Sequence, residues 1–153
     1  MNAIALLKAD HRAVEELFKE VQALSDTAHA SRGRLFKNID RELTIHAHIE
    51  ETIFYPAFKE RTKRNTEPSD EVFEAFEEHA NVKAMLAKLE ALDPGDDTYN
   101  AKLQVLMELV KHHVKEEETR LFKQAKQLFD NDELEALGEQ LEVAKEKMLA
   151  GAH

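Results

Sequence analysis

The sequence predicts an all-α protein: an antiparallel, up-and-down four-helix bundle with an additional C-terminal helix. Three observations lead there. Apolar residues recur every three or four positions along almost the whole chain, which is the spacing of one helix face. Four Gly and three Pro in 153 residues leave too few turns for an all-β sandwich or barrel. The breaks between periodic stretches are short, and short connections join neighbouring helices antiparallel.

Each element follows from its stripe. Ile4, Leu7, His11, Val14, Phe18 and Val21 share one face of a first helix at about 3–26. Ser31-Arg32-Gly33 reads as the turn into a second helix at about 32–62, whose stripe is Leu35, Ile39, Leu43, His46, Glu50, Ile53 and Ala57. Pro56 should kink it or end its regular part. Asn65-Thr66-Glu67-Pro68-Ser69 reads as a loop, with Ser69 as N-cap of a third helix at about 70–92 carrying Val72, Phe76, His79, Val82, Leu86 and Leu89. Asp93-Pro94-Gly95-Asp96-Asp97 is a turn, and a fourth helix at about 98–127 follows with Leu103, Leu106, Val110, His113, Glu117 and Arg120 or Leu121 in line. After Asp130-Asn131 a fifth helix, at about 131–149, shows Leu134, Leu137, Leu141 and Met148. No linker divides residues 1–153, so one domain is expected, with the bundle at about 1–128.

Composition narrows the function. With no Cys, thiolate metal sites, disulfides and thiol nucleophiles are excluded. The N-terminus reaches charge too early for a signal peptide, and no run of 18 apolar residues exists, so a cytoplasmic protein without a membrane partner is expected. A net charge of −10 argues against nucleic acid or an anionic membrane as the main partner.

Six polar residues stand on core-facing positions: His11, His46, Glu50, His79, His113 and Glu117. A lone His on an apolar face is ordinarily a satisfied core residue, but six such groups on four helices need a common cause, because an isolated buried carboxylate costs several kcal/mol. Depth provides one. His11 lies about 15 residues before the end of its helix and His46 about 14 after the start of the next; His79 lies about 13 before an end and His113 about 15 after a start. In antiparallel hairpins these offsets put all four at one level, with each Glu one turn further on.

The chain also repeats. DHRAVEELF at 10–18 pairs with EHANVKAML at 78–86, and HAHIEETIFY at 46–55 with HVKEEETRLF at 113–122. Each half gives one His from its first helix and an H-x-x-x-E from its second, so a pseudo-two-fold site is expected. His and Glu at i and i+4 share a helix face and can converge on metal. Four imidazoles and two carboxylates exceed a tetrahedral zinc site but suit two ions, His11 and His46 holding one, His79 and His113 the other, with Glu50 and Glu117 bridging both. Nitrogen and oxygen donors without sulfur favour iron or manganese, with positions left for an oxo, hydroxo or small exogenous ligand.

These motifs, DH, HAHIEETIFYP, EH and HVKEEETRLF in that order, resemble the hemerythrin family in its HHE cation-binding form over about residues 1–128. The resemblance implies a four-helix bundle with an oxo- or hydroxo-bridged di-iron centre that interacts with O2, peroxide or nitric oxide, and His11, His46, Glu50, His79, His113 and Glu117 as its ligands. Oxygen-carrying members have a second His one turn after the third-helix ligand; here Lys83 stands there, closer to bacterial and regulatory members. Sensing, scavenging or storage is the expected role. A di-iron enzyme with catalase-like or nitric-oxide-reducing activity, and an iron-homeostasis module, are the alternatives, while the fifth helix is the expected surface for a protein partner or self-association.

The remaining candidates read as structural. His112 points about 100° from His113, His48 belongs to a solvated face, and His29 and His153 sit in a turn and at the terminus. Asp10 and Glu78 read as surface charges, with orientation of imidazoles as the sharper alternative, and Glu51 and Glu118 read as helix-face charges, with exchange into the ligand set as theirs. Phe54, Tyr55, Phe58, Phe73, Phe76 and Phe122 read as packing.

Overall fold

A computed structural model describes residues 1–62 and 70–151; the loop expected at Asn65–Ser69, the Ser69 cap and His153 lie outside these. Every element is helical, with no strand among the described residues: α1 (Ala3–Gln22), α2 (His29–Ile49), a π-helical turn (Glu50–Phe54), α3 (Tyr55–Thr62), α4 (Asp70–Glu90), α5 (Tyr99–Glu116), a second π-helical turn (Glu117–Leu121), α6 (Phe122–Leu128) and α7 (Asn131–Gly151). The pairs α1–α2 and α4–α5 are the two hairpins read from the repeat, and α2 with its continuation crosses to α4.

Local chemistry sets the ends. Asn2 caps α1, its side chain accepting from the Ala5 N–H at 2.8 Å. The helix closes at Gln22, short of the expected 26, where the Arg32 guanidinium instead holds the Ser25 carbonyl at 2.8 Å. α2 starts earlier than expected, at His29, so Gly33 is a helix residue and not a turn residue. It is there because α2 runs close to the α4–α5 loop: a Cβ on Gly33 would lie 2.8 Å from Pro94 Cγ. Asp93 and Asp96 tie that loop by accepting from the N–H groups of Gly95 and Thr98. Asp130 and Glu133 form a reciprocal capping box at the start of α7, each carboxylate accepting the other's N–H.

The long helices are interrupted by widening instead of a kink. Both π turns begin at a candidate ligand, Glu50 and Glu117, with the N–H groups of Tyr55 and Phe122 returning to the carbonyls five residues back. Pro56 fits the first, since it has no N–H to complete an α-helical bond. The second turn has no proline, so proline is not the common cause. Both halves carry Glu-Glu-Thr at this place, and the Thr52 and Thr119 hydroxyls donate to the carbonyls of His48 and Lys115 at 2.7 Å, an extra donor where the backbone ladder loosens. The inserted residue moves the stripe by one: Phe54, Tyr55 and Phe58 are buried where Ile53 and Ala57 were expected, and Leu121 and Phe122 are buried while Arg120 is exposed.

Two apolar clusters result. One, from Val14, Phe36, Leu43, Leu86, Leu106 and their neighbours, fills the end nearest the hairpin loops. The other, from Leu7, Ile49, Phe54, Phe58, Phe122 and their neighbours, fills the opposite end and takes in Leu134, Leu137 and Leu141 of α7. The apolar stripe of α7, expected to offer a docking surface, is therefore turned inward against α1, α2 and the first π turn. Gly138 marks the closest approach: a Cβ there would sit 2.1 Å from the Met1 carbonyl oxygen and 2.9 Å from the Ala3 nitrogen. Gly138→Ala should accordingly destabilise the fold by about 1–3 kcal/mol in urea unfolding, whereas Gly151→Ala, with open space around it, should change it by less than about 0.5 kcal/mol.

Candidate metal centre

Between the two apolar clusters lies a polar layer. His11, His46, His79, His113, Glu50 and Glu117 meet there, and the most exposed of them, His11, retains 7% of its surface. α1 and α4 each contribute one imidazole, and α2 and α5 each contribute His in their last turn and Glu at the first position of the π turn that follows. The i,i+4 relation brings His46 Nε2 to 3.1 Å from Glu50 Oε1 and His113 Nε2 to 3.4 Å from Glu117 Oε2.

Each carboxylate reaches across to the other half. Glu50 Oε1 is also 3.2 Å from His79 Nε2, and Glu117 Oε1 is 3.0 Å from His11 Nε2. Two overlapping sets of four donors follow, His11–His46–Glu50–Glu117 and Glu50–His79–His113–Glu117, within each of which one ligand atom per residue lies within 4.8 Å of all the others.

The donor atoms fit a cation better than they fit each other. His11 Nε2, His46 Nε2, Glu50 Oε2 and Glu117 Oε1 are buried and make no directional hydrogen bond with any described residue. Leaving four such atoms unsatisfied is costly, and a pair of cations would satisfy them together. The opposite nitrogens are all engaged. His11 Nδ1 meets Glu118 at 2.7 Å, His46 Nδ1 meets Asp10 at 2.9 Å, His79 Nδ1 meets Glu51 at 3.0 Å and His113 Nδ1 meets Glu78 at 2.8 Å. With Nδ1–H donating outward, each ring turns its Nε2 lone pair into the layer. The four carboxylates read from the sequence as surface or helix-face charges are thus orienting groups. Their signal was present: Asp10 pairs with Glu78 and Glu51 with Glu118 in the internal repeat. His48 is exposed as expected, and His112, largely exposed, lies 3.3 Å from Glu78 Oε2.

One residue of the layer was missed. Tyr55, read as packing, is fully buried, and its hydroxyl donates to Glu50 Oε1 at 3.2 Å and to Glu117 Oε2 in a shorter bond, with His79 Nε2 at 3.4 Å. Its counterpart Phe122 stacks on His11 with ring centroids 5.8 Å apart. The exchange of Tyr for Phe between HAHIEETIFY and HVKEEETRLF was the available signal, and it breaks the two-fold symmetry. Burial and the two carboxylates hold the phenol well above its usual pKa, so it keeps its proton and donates a hydrogen bond.

The protein matches the family model for the hemerythrin HHE cation binding domain over residues 2–125. The chain belongs to that family. α7 lies beyond the matched residues, although the HHE crystal structure from Mycobacterium kansasii, a hemerythrin HHE cation binding domain-containing protein, superposes on 99% of this chain and 90% of its own with a TM-score of 0.83 and 25% identity. A curated relative from Nostoc sp. (strain PCC 7120 / SAG 25.82 / UTEX 2576), a protein named DNA nickase, is 26% identical over 148 residues. That match takes in 97% of this chain but 40% of the relative, so the HHE chain spans well under half of that protein. What the family and the buried His/Glu cluster together establish is a cation-binding domain with a candidate metal site.

Electrostatics of the metal-free HHE site supply a test. Burial opposes charge on His46, but Glu50, Asp10 and Glu117 outweigh it and push its pKa up to about 10. His113 is likewise held well above the usual value, against burial, by Glu117, Glu50 and Glu78. Glu50 moves the other way, its burial overcome by His46, His113 and His79, which bring it well below the ordinary carboxylate range. Folding without a cation thus favours the imidazolium forms of His46 and His113. A pKa raised by folding contributes stability below the unfolded value of 6.5, and that contribution is lost as pH rises through about 10. The melting temperature of chelator-treated protein should therefore fall between pH 7 and pH 10, while metal-loaded protein, whose ligands are already deprotonated, should resist the fall; a constant gap between the two melts would contradict this electrostatic picture.

Proposed function

We propose that the protein is a non-haem di-iron protein of hemerythrin type that interacts with O2 or a related small ligand such as peroxide or nitric oxide, in sensing, scavenging or storage. The observation that carries the reading is the pair of four-donor sets sharing both carboxylates. His11 and His46 would hold one ion, His79 and His113 the other, and Glu50 and Glu117 would bridge them. Nitrogen and oxygen donors without sulfur favour iron, with manganese as the alternative. When bound, such a pair supplies one-electron chemistry at each ion and an open coordination position.

The chain's own residues shape what reaches that position. A cavity of about 140 Å³ adjoins the four imidazoles and is walled by Val14, Leu43, Val82, Leu86, Val110 and Val114. Walls of this kind favour small neutral molecules over charged ones. Lys83, at the position where oxygen carriers have a His, instead pairs with Glu51 at 3.1 Å. It thereby leaves the donor set at four His and two Glu.

Tyr55 favours a second reading, turnover of peroxide or nitric oxide. Both reactions consume or move protons, and the sequence showed no separate acid. The Tyr55 hydroxyl places a buried O–H between the two carboxylates. The nicking activity in the Nostoc relative's name stays with that longer protein in this proposal, since a charge of −10 opposes approach to a phosphate backbone.

Metal analysis after iron-supplemented expression should find about two Fe per chain, and near-absence of iron would overturn the reading. His46→Ala and His113→Ala should each lower iron content while His48→Ala leaves it unchanged. An optical spectrum taken anaerobically and then in air should develop ferric charge-transfer bands. Tyr55→Phe should retain iron yet slow peroxide decay by about 10²-fold if the phenol delivers a proton; unchanged decay would remove Tyr55 from the chemistry.

A further inference from the structure

We propose that Lys145 on α7 is a positioning residue for one half of the metal centre: it fixes Asp10, and Asp10 in turn aims His46 into the layer. This rests on the two-cation reading above and assigns a role to the helix outside the matched domain.

The geometry is a chain of three side chains. Lys145 Nζ lies 2.5 Å from Asp10 Oδ1, and Asp10 Oδ2 accepts from His46 Nδ1 at 2.9 Å. The two oxygens of one carboxylate are thereby divided between a cation and an imidazole, which leaves Asp10 no free rotation. Lys145 stands one helical turn beyond Leu141, itself fully buried, so docking of α7 decides where the ammonium goes.

The other three orienting carboxylates differ. Asp10 has a side-chain exposure of 5%, against 33% for Glu118, 19% for Glu51 and 25% for Glu78. Water can solvate those three. Their nearby basic side chains, Lys83 beside Glu51 and His112 beside Glu78, are 57% and 66% exposed, while Lys145 is 28% exposed. A carboxylate shielded as Asp10 is needs a charge partner. His46 and Lys145 together outweigh its burial and hold it below its usual pKa. By the internal repeat, Glu78 is the counterpart of Asp10, and what stands in the place of Lys145 there is His112, 3.3 Å from Glu78 Oε2 but 66% exposed. α7 therefore makes the two cation positions unequal although their donor sets match.

The sign of the effect separates positioning from simple charge. Removing a positive charge near a cation site should by Coulomb attraction alone strengthen metal binding. Loss of positioning should weaken it. Ferrous iron titrated anaerobically against a competing chelator should give two stepwise constants, and Lys145→Met should weaken one of them by about tenfold, at the low end for residues that orient a ligand. Lys145→Arg, which keeps the ion pair, should restore it. Lys147→Met, which removes an exposed ammonium from the same helix and leaves α7 docked, serves as the control. In metal-free protein the Nδ1–H proton resonance of His46 should shift or broaden with solvent exchange in Lys145→Met and not in Lys147→Met.

Unchanged or tighter iron binding in Lys145→Met overturns the proposal, as does equal weakening by Lys147→Met. Should the wild-type chain bind no iron, the di-iron reading fails by itself. The His46 resonance then still decides the link, and an unperturbed signal in Lys145→Met overturns it.

Discussion

Six ionisable side chains sit where the core of a helical bundle would ordinarily be apolar, and their mutual neutralisation is the constraint on which the rest of the structure depends. The layer divides the interior into two apolar clusters. Neither cluster can close on the other through a gap of bare carboxylates, because burying unpaired charge costs far more than the burial of neighbouring leucines returns. Without a cation, Glu50 and Glu117 raise the pKa values of His46 and His113 against their burial. The same atoms present an array of inward-facing nitrogen and oxygen donors, so the requirement that makes the layer foldable also makes it a receptor for cations.

Around this layer the structure is arranged as concentric pairs. Every imidazole has an inner nitrogen facing the layer and an outer nitrogen donating to a carboxylate from another helix: Asp10 crosses from α1 to α2, Glu78 from α4 to α5, Glu51 reaches α4 and Glu118 reaches α1. These bonds stitch all four helices at one height, which is how a polar layer can add order to the core that it interrupts. The π turns belong to the same design. Each starts at Glu50 or Glu117 and advances the following residues by one position, which is what brings Tyr55 into the layer and Phe122 against His11.

The two halves are alike in donors and unlike in surroundings. Tyr55 faces His79 and both carboxylates, and its partner by repeat is a phenylalanine. α7 closes one flank only, bringing Lys145 to Asp10. Equal donor sets thus lie in unequal settings.

The sequence by itself determined the helical class, the order of the helices and the level at which His11, His46, His79 and His113 stand, because each rests on local periodicity and on distance along a helix of constant rise. The H-x-x-x-E spacing likewise placed Glu50 and Glu117 beside their imidazoles. Tertiary structure alone decided three things. Whether Asp10, Glu51, Glu78 and Glu118 meet water or imidazole depends on which helix lies opposite, and no single helix carries that information. The inward turn of Tyr55 depends on a π-helical widening that adds a residue to the face count, so extrapolating the α-helical stripe picked out Ile53 instead. The docking of α7, and with it the reach of Lys145 to Asp10 across 135 positions of chain, depends on a close approach at Gly138 that is a property of two backbones in space and not of either segment alone.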